Sequence, residues 1–196
     1  METETILIGS QEWMCYNLNV STFRDGTEIF HASTEKEWEY ASKHQWPAMC
    51  SYENNEILGT IYGKLYNFFA VTNINGLAPL GFNIPTINDW LLLANQLEGL
   101  EMAGKYLKSV DLWEYQDLKH QPTLFNGLPG GLRYTNGSFD LANSNAFWWT
   151  ASEIDSSNSL GINLYYDDFL LLKRPYFKGN GFSVRCIKSN VPFLVE

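Results

Sequence analysis

The sequence predicts an α+β domain in which short strands and turns outnumber helices. Three observations lead to that class. The chain is 45% hydrophobic and 15% aromatic, with 7 Trp, 11 Tyr and 12 Phe, enough to bury a substantial core and too apolar for intrinsic disorder. Its 15 Gly and 7 Pro, with several Asn-Gly pairs, cut it into short pieces and mark it as turn-rich. Two stretches, after Thr34 and after Thr86, carry an N-cap signature ahead of an apolar helical face. At 196 residues, with no repeat, low-complexity segment or linker, the chain reads as a single domain over 1–196, with a C-terminal tail from about 189.

Taken in order, Ile6-Leu7-Ile8-Gly9 and Glu12-Trp13-Met14-Cys15 read as two strands around a turn at Ser10-Gln11, and Asp25-Gly26 as a further turn. Thr34-x-x-Glu37 is a capping box for a helix over about 35–44, with Trp38 and Ala41 on its inner face and Pro47 ending it. Residues 51–63, with Asn54-Asn55 and two glycines, read as loop, and 64–71 as a buried helical turn or short helix. Asn75-Gly76 and Pro79-Leu80-Gly81 are turns. Thr86 caps the clearest helix, Asp89 takes backbone donors at its third position, and Gly99 stops it. A short helix follows around Glu101–Lys108, and Trp113 and Tyr115 lead on towards the glycine-rich segment. Further on, Leu160–Tyr166 and Phe169–Leu172 form hairpin arms around Asp167-Asp168, and Gly179-Asn180-Gly181 turns into an alternating last strand, Phe182–Ile187.

The chain is organised around Phe125-Asn126-Gly127-Leu128-Pro129-Gly130-Gly131-Leu132-Arg133. Three glycines and a proline in nine positions exclude a regular helix and suit a sharp backbone crossover between buried pieces. The segment lacks the Lys-Ser/Thr and following helix of a phosphate loop, so its glycines (Gly130 and Gly131 among them) are structural. Arg133 and Arg185 are expected to pair with buried carboxylates or loop carbonyls.

Charge and motifs exclude several functions. A net charge of −9 with 13 scattered basic residues argues against nucleic acid as a partner. No run approaches the roughly 18 apolar residues of a membrane span. Met1-Glu2-Thr3-Glu4-Thr5 lacks a charged-then-apolar export signal, so a virion or cytoplasmically made particle is one expected location; a removed signal would place the protein at the cell surface or outside. His31, His44 and His120 lack metal-ligand spacing, and Cys15, Cys50 and Cys186 contain no CxxC pair. Three reduced thiols, or one disulfide and one free thiol, are both compatible with that count. Cys186, between Val184 and Ile187, reads as a buried small hydrophobe or as half of a disulfide with Cys50.

Several stretches together carry a family resemblance. They include Gly9-x-Gln11-x-Trp13-Met14-x-x-Asn17-Leu18, Pro47-Ala48-x-Cys50-x-Tyr52-x-Asn54 and Tyr62-Gly63-Lys64-Leu65-Tyr66-Asn67. Leu77-Ala78-Pro79-x-Gly81-Phe82-x-Ile84-Pro85-Thr86-x-x-Asp89-Trp90, Leu107-Lys108, Gly127-Leu128-Pro129-Gly130-Gly131-x-Arg133, Phe147-Trp148 and Gly181-Phe182-Ser183-Val184-Arg185-Cys186 complete the set. The chain resembles the Fibrobacter succinogenes major paralogous domain family, bacterial modules found in many secreted or surface proteins. The resemblance implies a C-type-lectin-like fold, similar in outline to formylglycine-generating sulfatase activators: a twisted antiparallel sheet core, two or three short helices and long irregular loops. It implies no established reaction. The chain departs from the family at Cys15, where a small residue is usual, and at Trp149, where a serine is usual.

A lectin-type calcium site needs six to eight oxygens. Gln121-Pro122-Thr123 lacks the third carboxylate or carboxamide of such a loop, and Asn88-Asp89-Trp90 sits at a helix start. Asp155, Asp167 and Asp168 are the carboxylates that remain, and Asp at a hairpin turn is ordinary turn chemistry, so no cofactor is expected. The candidate binding residues are aromatic and acidic: Trp148, Trp149, Tyr165, Tyr166, Asp167, Asp168 and Tyr176. Strand alternation is expected to send one of Trp148 and Trp149, and one of Tyr165 and Tyr166, to the surface. Exposed rings flanked by Asp and Asn suit sugar stacking or a protein hot spot. The expected function is a non-enzymatic recognition or adhesion module for a glycan or protein. A structural component of a phage virion or secretion particle, held by neighbouring subunits, is the alternative. An oxidative enzyme like the sulfatase activators is a third reading, resting on fold analogy alone.

Overall fold

The structure, a computed structural model, describes residues 4–114 and 123–189. The start at residues 1–3, Tyr115, His120, Gln121-Pro122 and the tail beyond Ser189 lie outside the described residues. The fold is mixed α+β, with several sheets and a handful of short helices.

Strands β1 (Thr5–Ile8) and β2 (Gln11–Met14) form the expected first hairpin, turning at Gly9-Ser10 with Gly9 at φ +60°. The turn falls one residue early because Gln11 belongs to the ladder, its amide reaching the Asp89 carbonyl at 3.1 Å. With β6 (Phe82–Asn83) and β12 (Ile187–Lys188) they make a sheet in the order β1-β2-β12-β6. A second sheet, in the order β11-β10-β9-β7-β8, comprises β7 (Gly130–Arg133), β8 (Phe139–Ala142), β9 (Asn145–Glu153), β10 (Asn158–Tyr165) and β11 (Leu172–Phe177). The third holds β3 (Phe30–His31), β4 (Ala48–Cys50) and β5 (Leu65–Tyr66). Pairing is antiparallel except for β3 with β4 and β7 with β9, which run parallel.

Both capped helices form where their caps place them. In α1 (Glu35–Lys43), Thr34 accepts from the Glu37 amide and Glu37 from the Thr34 amide, and Trp38 and Ala41 are buried. In α4 (Ile87–Gln96), Thr86 and Asp89 close the same reciprocal box. Such a cap offsets orphan donors worth about 1 kcal/mol. Gly99, at φ +89°, ends the segment with its amide on Ala94. The helix read around Glu101–Lys108 is α5 (Gly104–Leu107), shorter than expected.

Residues 51–63 are not loop. Tyr52–Asn54 is a 3-10 turn and Glu56–Tyr62 is a helix, α2. Asn55, read as a loop residue, is its N-cap, accepting from the Ile57 amide at 2.9 Å. Gly59 is a packing requirement, since a Cβ there would sit 2.4 Å from Ser51 Oγ. Residues 64–71 divide into β5 and a single-turn helix, α3 (Phe68–Val71), separated by Asn67. The buried Asn67 Oδ1 accepts from the Ala48 and Ala70 amides, both at 3.0 Å, which stops the strand and starts the helix.

The last segment also differs from expectation. Only Ile187 and Lys188 join a ladder; Phe182, Ser183, Val184, Arg185 and Cys186 are all buried and thread between sheets. Isolated bridges tie Gly181 to Arg133, Phe182 to Tyr66 and Ser183 to Trp148. The apolar-polar alternation is real, but the alternate polar side chains face other protein rather than water.

Arg185 shows why. Its Nη2 donates to Asn17 Oδ1 at 2.7 Å and to Asn126 O at 3.3 Å, while Nη1 donates to Met14 O at 3.0 Å and to Phe125 O. The guanidinium lies 4.5 Å from the Phe125 ring. Burial pulls its pKa down to about 9, so it remains charged at neutral pH. Arg133 is equally buried, donating to Ala32 O at 2.6 Å and Gly137 O at 2.9 Å between the rings of Trp38 and Phe139. Both arginines thus bind carbonyls, with Asn17 added for Arg185, and among the described residues neither pairs with a carboxylate. Together they tie the glycine-rich crossover to α1 and to the last segment. At Gly131, φ is +61° and a Cβ would meet Asp140 O at 2.5 Å.

Cys15, Cys50 and Cys186 are free and buried, so the small-hydrophobe reading of Cys186 holds and the Cys50–Cys186 disulfide does not form. Burial pushes the thiols of Cys50 and Cys186 up to about 11 and about 12.

Candidate functional site

The sequence-predicted residues separate into three groups. Trp148 and Trp149 do point to opposite faces of β9, but both faces are covered and both side chains are fully buried. Trp148 packs with Trp90 and Phe125 and donates to Asn17 Oδ1 at 2.9 Å. Trp149 stacks on Phe182 at 4.4 Å and donates to Tyr66 O at 2.8 Å. The expectation that one would reach the surface fails because β9 is a central strand between two apolar clusters.

Tyr166, Asp167 and Asp168 form the second group, in the connection between β10 and β11. The hairpin pairs Asn158 through Asn163 with Phe177 back to Leu172, so its return arm runs further than the sequence suggested. Lys108, buried between Trp113 and Phe169, donates to Tyr166 O at 3.1 Å and to Asp168 O at 2.6 Å. Burial pulls the ammonium down to about 8. Asp168 Oδ1 accepts from the Leu170 amide at 2.9 Å, which is turn chemistry. Asp155 lies at the far end of β10, a strand of 8 residues that spans roughly 26 Å at the usual rise. Its carboxylate accepts from the Ser157 and Asn158 amides, both at 2.7 Å. The three candidate calcium ligands therefore do not converge. Among the described residues, no group of three His, Cys, Asp or Glu is placed to hold a metal ion.

Tyr165 and Tyr176 are the pair that the fold brings together. Register places Tyr165, Asn163 and Gly161 on the face of β10 that Phe147 and Trp149 share. Tyr176, on β11, lays its ring across Gly161: a Cβ there would sit 2.9 Å from Tyr176 Cδ2. That gap leaves room for the Tyr176 ring, whose inner edge packs on Phe147 and Phe182. Burial, with Tyr165 adding to it and Arg174 opposing it, pushes the Tyr176 phenol up to about 12. Tyr165 and Tyr166, like the two tryptophans, take opposite faces, and both are half-buried rather than one inside and one out.

Three residues that sequence reasoning missed complete this cluster. Tyr134, 38% exposed, follows Arg133 out of β7 and brings its hydroxyl to 3.5 Å from Asp140 Oδ2. Burial, then the Asp140 carboxylate, then Tyr165 raise the Tyr134 phenol. Arg174 stands opposite Gly161 in the ladder, exposed. Beneath them, Asn145 Nδ2 and Asn163 Oδ1 are buried with no hydrogen-bond partner among the described residues. The usable signal was the hairpin register: had β11 been carried to Phe177, Arg174 and Tyr176 would have fallen on one face with Tyr165.

The result is a surface of three phenols, with the Asp140 carboxylate by Tyr134 at one edge of the sheet and the Arg174 guanidinium by Tyr176 at the other. The raised phenols of Tyr134 and Tyr176 stay protonated at neutral pH, so they act as hydroxyl donors and acceptors rather than as bases. Ring faces with hydroxyls, an acceptor carboxylate and a donor fork match a ligand that is itself both apolar-faced and hydroxyl-rich.

Residues 6–188 match the model of the Fibrobacter succinogenes major domain. The chain belongs to that family, as the motifs in its sequence implied. No curated protein matches it, and no solved structure does. No helix among the described residues is long and apolar enough to cross a membrane.

Proposed function

We propose that this Fibrobacter succinogenes major domain is a non-enzymatic recognition module that binds a glycan through the Tyr134–Tyr165–Tyr176 cluster, on a C-type-lectin-like core. One observation carries the reading: the missing side chain at Gly161 leaves room for the half-buried Tyr176 ring, on the sheet face that also carries the half-buried Tyr165. Support for the lectin-like arrangement comes from the mixture of sheets and short helices with long irregular stretches, such as residues 15–29 and 72–81. Glycan-array binding tests the proposal. Loss of the signal in Tyr165→Ala and Tyr134→Ala, with unchanged circular dichroism, is expected. Undiminished binding in both variants moves the site elsewhere.

A second reading, a structural component of a phage virion or secretion particle, is favoured by strand β1. Among the described residues it is an edge strand, four residues long without Lys or Pro, and its Leu7 is 69% exposed. Size exclusion with light scattering distinguishes the readings, since a strictly monomeric protein counts against the second. The oxidative reading has the least support, because the three thiols are buried and raised by burial, whereas thiolate chemistry needs an exposed, electropositive setting.

A further inference from the structure

We infer that the ligand is an uncharged, linear oligosaccharide, long enough to run from the tyrosine cluster over edge strand β11 into the cleft beyond Phe177. This rests on the glycan reading and specifies the ligand class. The path is continuous by its shared residues. Tyr176 belongs to the cluster and, with Phe177, Pro175, Ile154 and Asn180, lines a cavity of about 550 Å³. Phe177 in turn lines a second cavity of about 470 Å³, where Phe69 supplies another ring and Ser42, Thr135, Asn136 and Ser157 supply polar atoms. Each volume lies within the range of a small-ligand site, roughly 300–1,000 Å³. The two cavities share Phe177, and with Tyr176 at the near end they mark a track too long for one sugar ring.

Phe177 is the midpoint of that track. It is 63% exposed, on an edge strand whose other outward residues are charged or proline. Aromatic rings spaced along a groove and alternating with hydroxyls and carboxamides offer each ring of a sugar chain an apolar face and hydrogen bonds.

The charges along the track oppose an anionic chain. The second cavity sets Glu39 against Lys43, and Arg174 lines neither cavity. Lys178 is occupied by Glu153. Asp155, in the first cavity, is held by its own turn and adds negative charge. A polyanion would need clustered cations, and the track has none in excess.

The test is titration calorimetry of the full chain with cello-, malto-, manno- and N-acetylchito-oligosaccharides of graded length, beside an oligogalacturonate. Affinity for one neutral series is expected to rise about tenfold or more from the single sugar to four units, as linked subsites engage. Phe177→Ala should remove that gain, and Tyr165→Ala should weaken every length. Length-independent binding that still needs Tyr165 overturns the extended track but spares the glycan reading. Preference for the oligogalacturonate overturns the uncharged class. Failure to bind any of the sugars overturns this inference, and an empty glycan array besides overturns the glycan reading.

Discussion

The neighbourhood of Arg185 and the neighbourhood of Phe177 are both rich in aromatic rings, yet one is sealed and the other open. Around Arg185 the rings of Phe125, Trp148 and Trp90 are fully buried, and most polar atoms among them are matched, the Trp90 indole nitrogen being the exception among the described residues. Asn17 accepts from both Trp148 and Arg185 and donates to the Tyr62 carbonyl. Around Phe177, the edge strand β11 has a partner on one side only, and its rings face cavities. Aromatic content therefore does not locate a site here. What separates the regions is whether a strand has cover on both faces.

Substitutions can sharpen that contrast. The largest expected effect is at Arg185. Arg185→Met removes a cation that serves three carbonyls and Asn17, leaving the Met14 and Phe125 carbonyls without it and Asn17 Oδ1 with Trp148 alone, for a loss of about 3–5 kcal/mol in urea unfolding. Arg133→Met, which strands only Ala32 O and Gly137 O and removes an Nη2 that has no partner, should lose about half as much. Equal losses would show that the two arginines do not differ as their hydrogen bonds suggest.

Gly161→Ala comes next, because it presses on the boundary between sealed and open regions. The added Cβ must displace Tyr176, 2.9 Å away, at an expected cost of about 1–3 kcal/mol, and sugar binding should fall with it. Retained binding would detach the proposed site from the Tyr176 position.

The buried thiols give a pH signature of the sealed side. The folded Cys50 thiol, raised to about 11 from an ordinary 9, stays protonated where the unfolded one ionises. Its contribution is complete below pH 9 and is lost as pH rises through about 11, at a limiting slope of about 1.4 kcal/mol per pH unit. The stability of wild type relative to Cys50→Ala should fall across that window and stay flat below it. A flat difference throughout would mean that the thiol is not buried as described.

The smallest effect on stability is expected at Phe177. Phe177→Ala should change the unfolding free energy by no more than about 0.5 kcal/mol, because the ring is largely solvated. A loss above 2 kcal/mol would place the ring in the core and erase the comparison.

Much of this was legible locally. The Thr34–Glu37 and Thr86–Asp89 boxes and the turns at Gly26, Gly76 and Gly81 formed as read, and the first hairpin formed with its turn one residue early, since each is decided by contacts within a few residues. Where a residue type signals two things, reading failed. Asn55 and Gly59 looked like loop, but they are a helix cap and a close contact with Ser51. The candidate site was half legible: Tyr165 and Tyr176 were named, whereas Tyr134, Asp140 and Arg174 enter only through strand register.

By itself the sequence determined the α+β class, the family, the caps and turns, and the glycine-rich crossover held by buried arginines. Propensity, capping and backbone sterics act over short distances and are written in neighbouring residues. The tertiary structure alone decided that Trp148 and Trp149 are both core, that Phe182 to Cys186 thread between sheets, and that Tyr176 rather than a tryptophan borders the surface. Alternation specifies which residues share a face, but exposure depends on what distant chain is laid over that face.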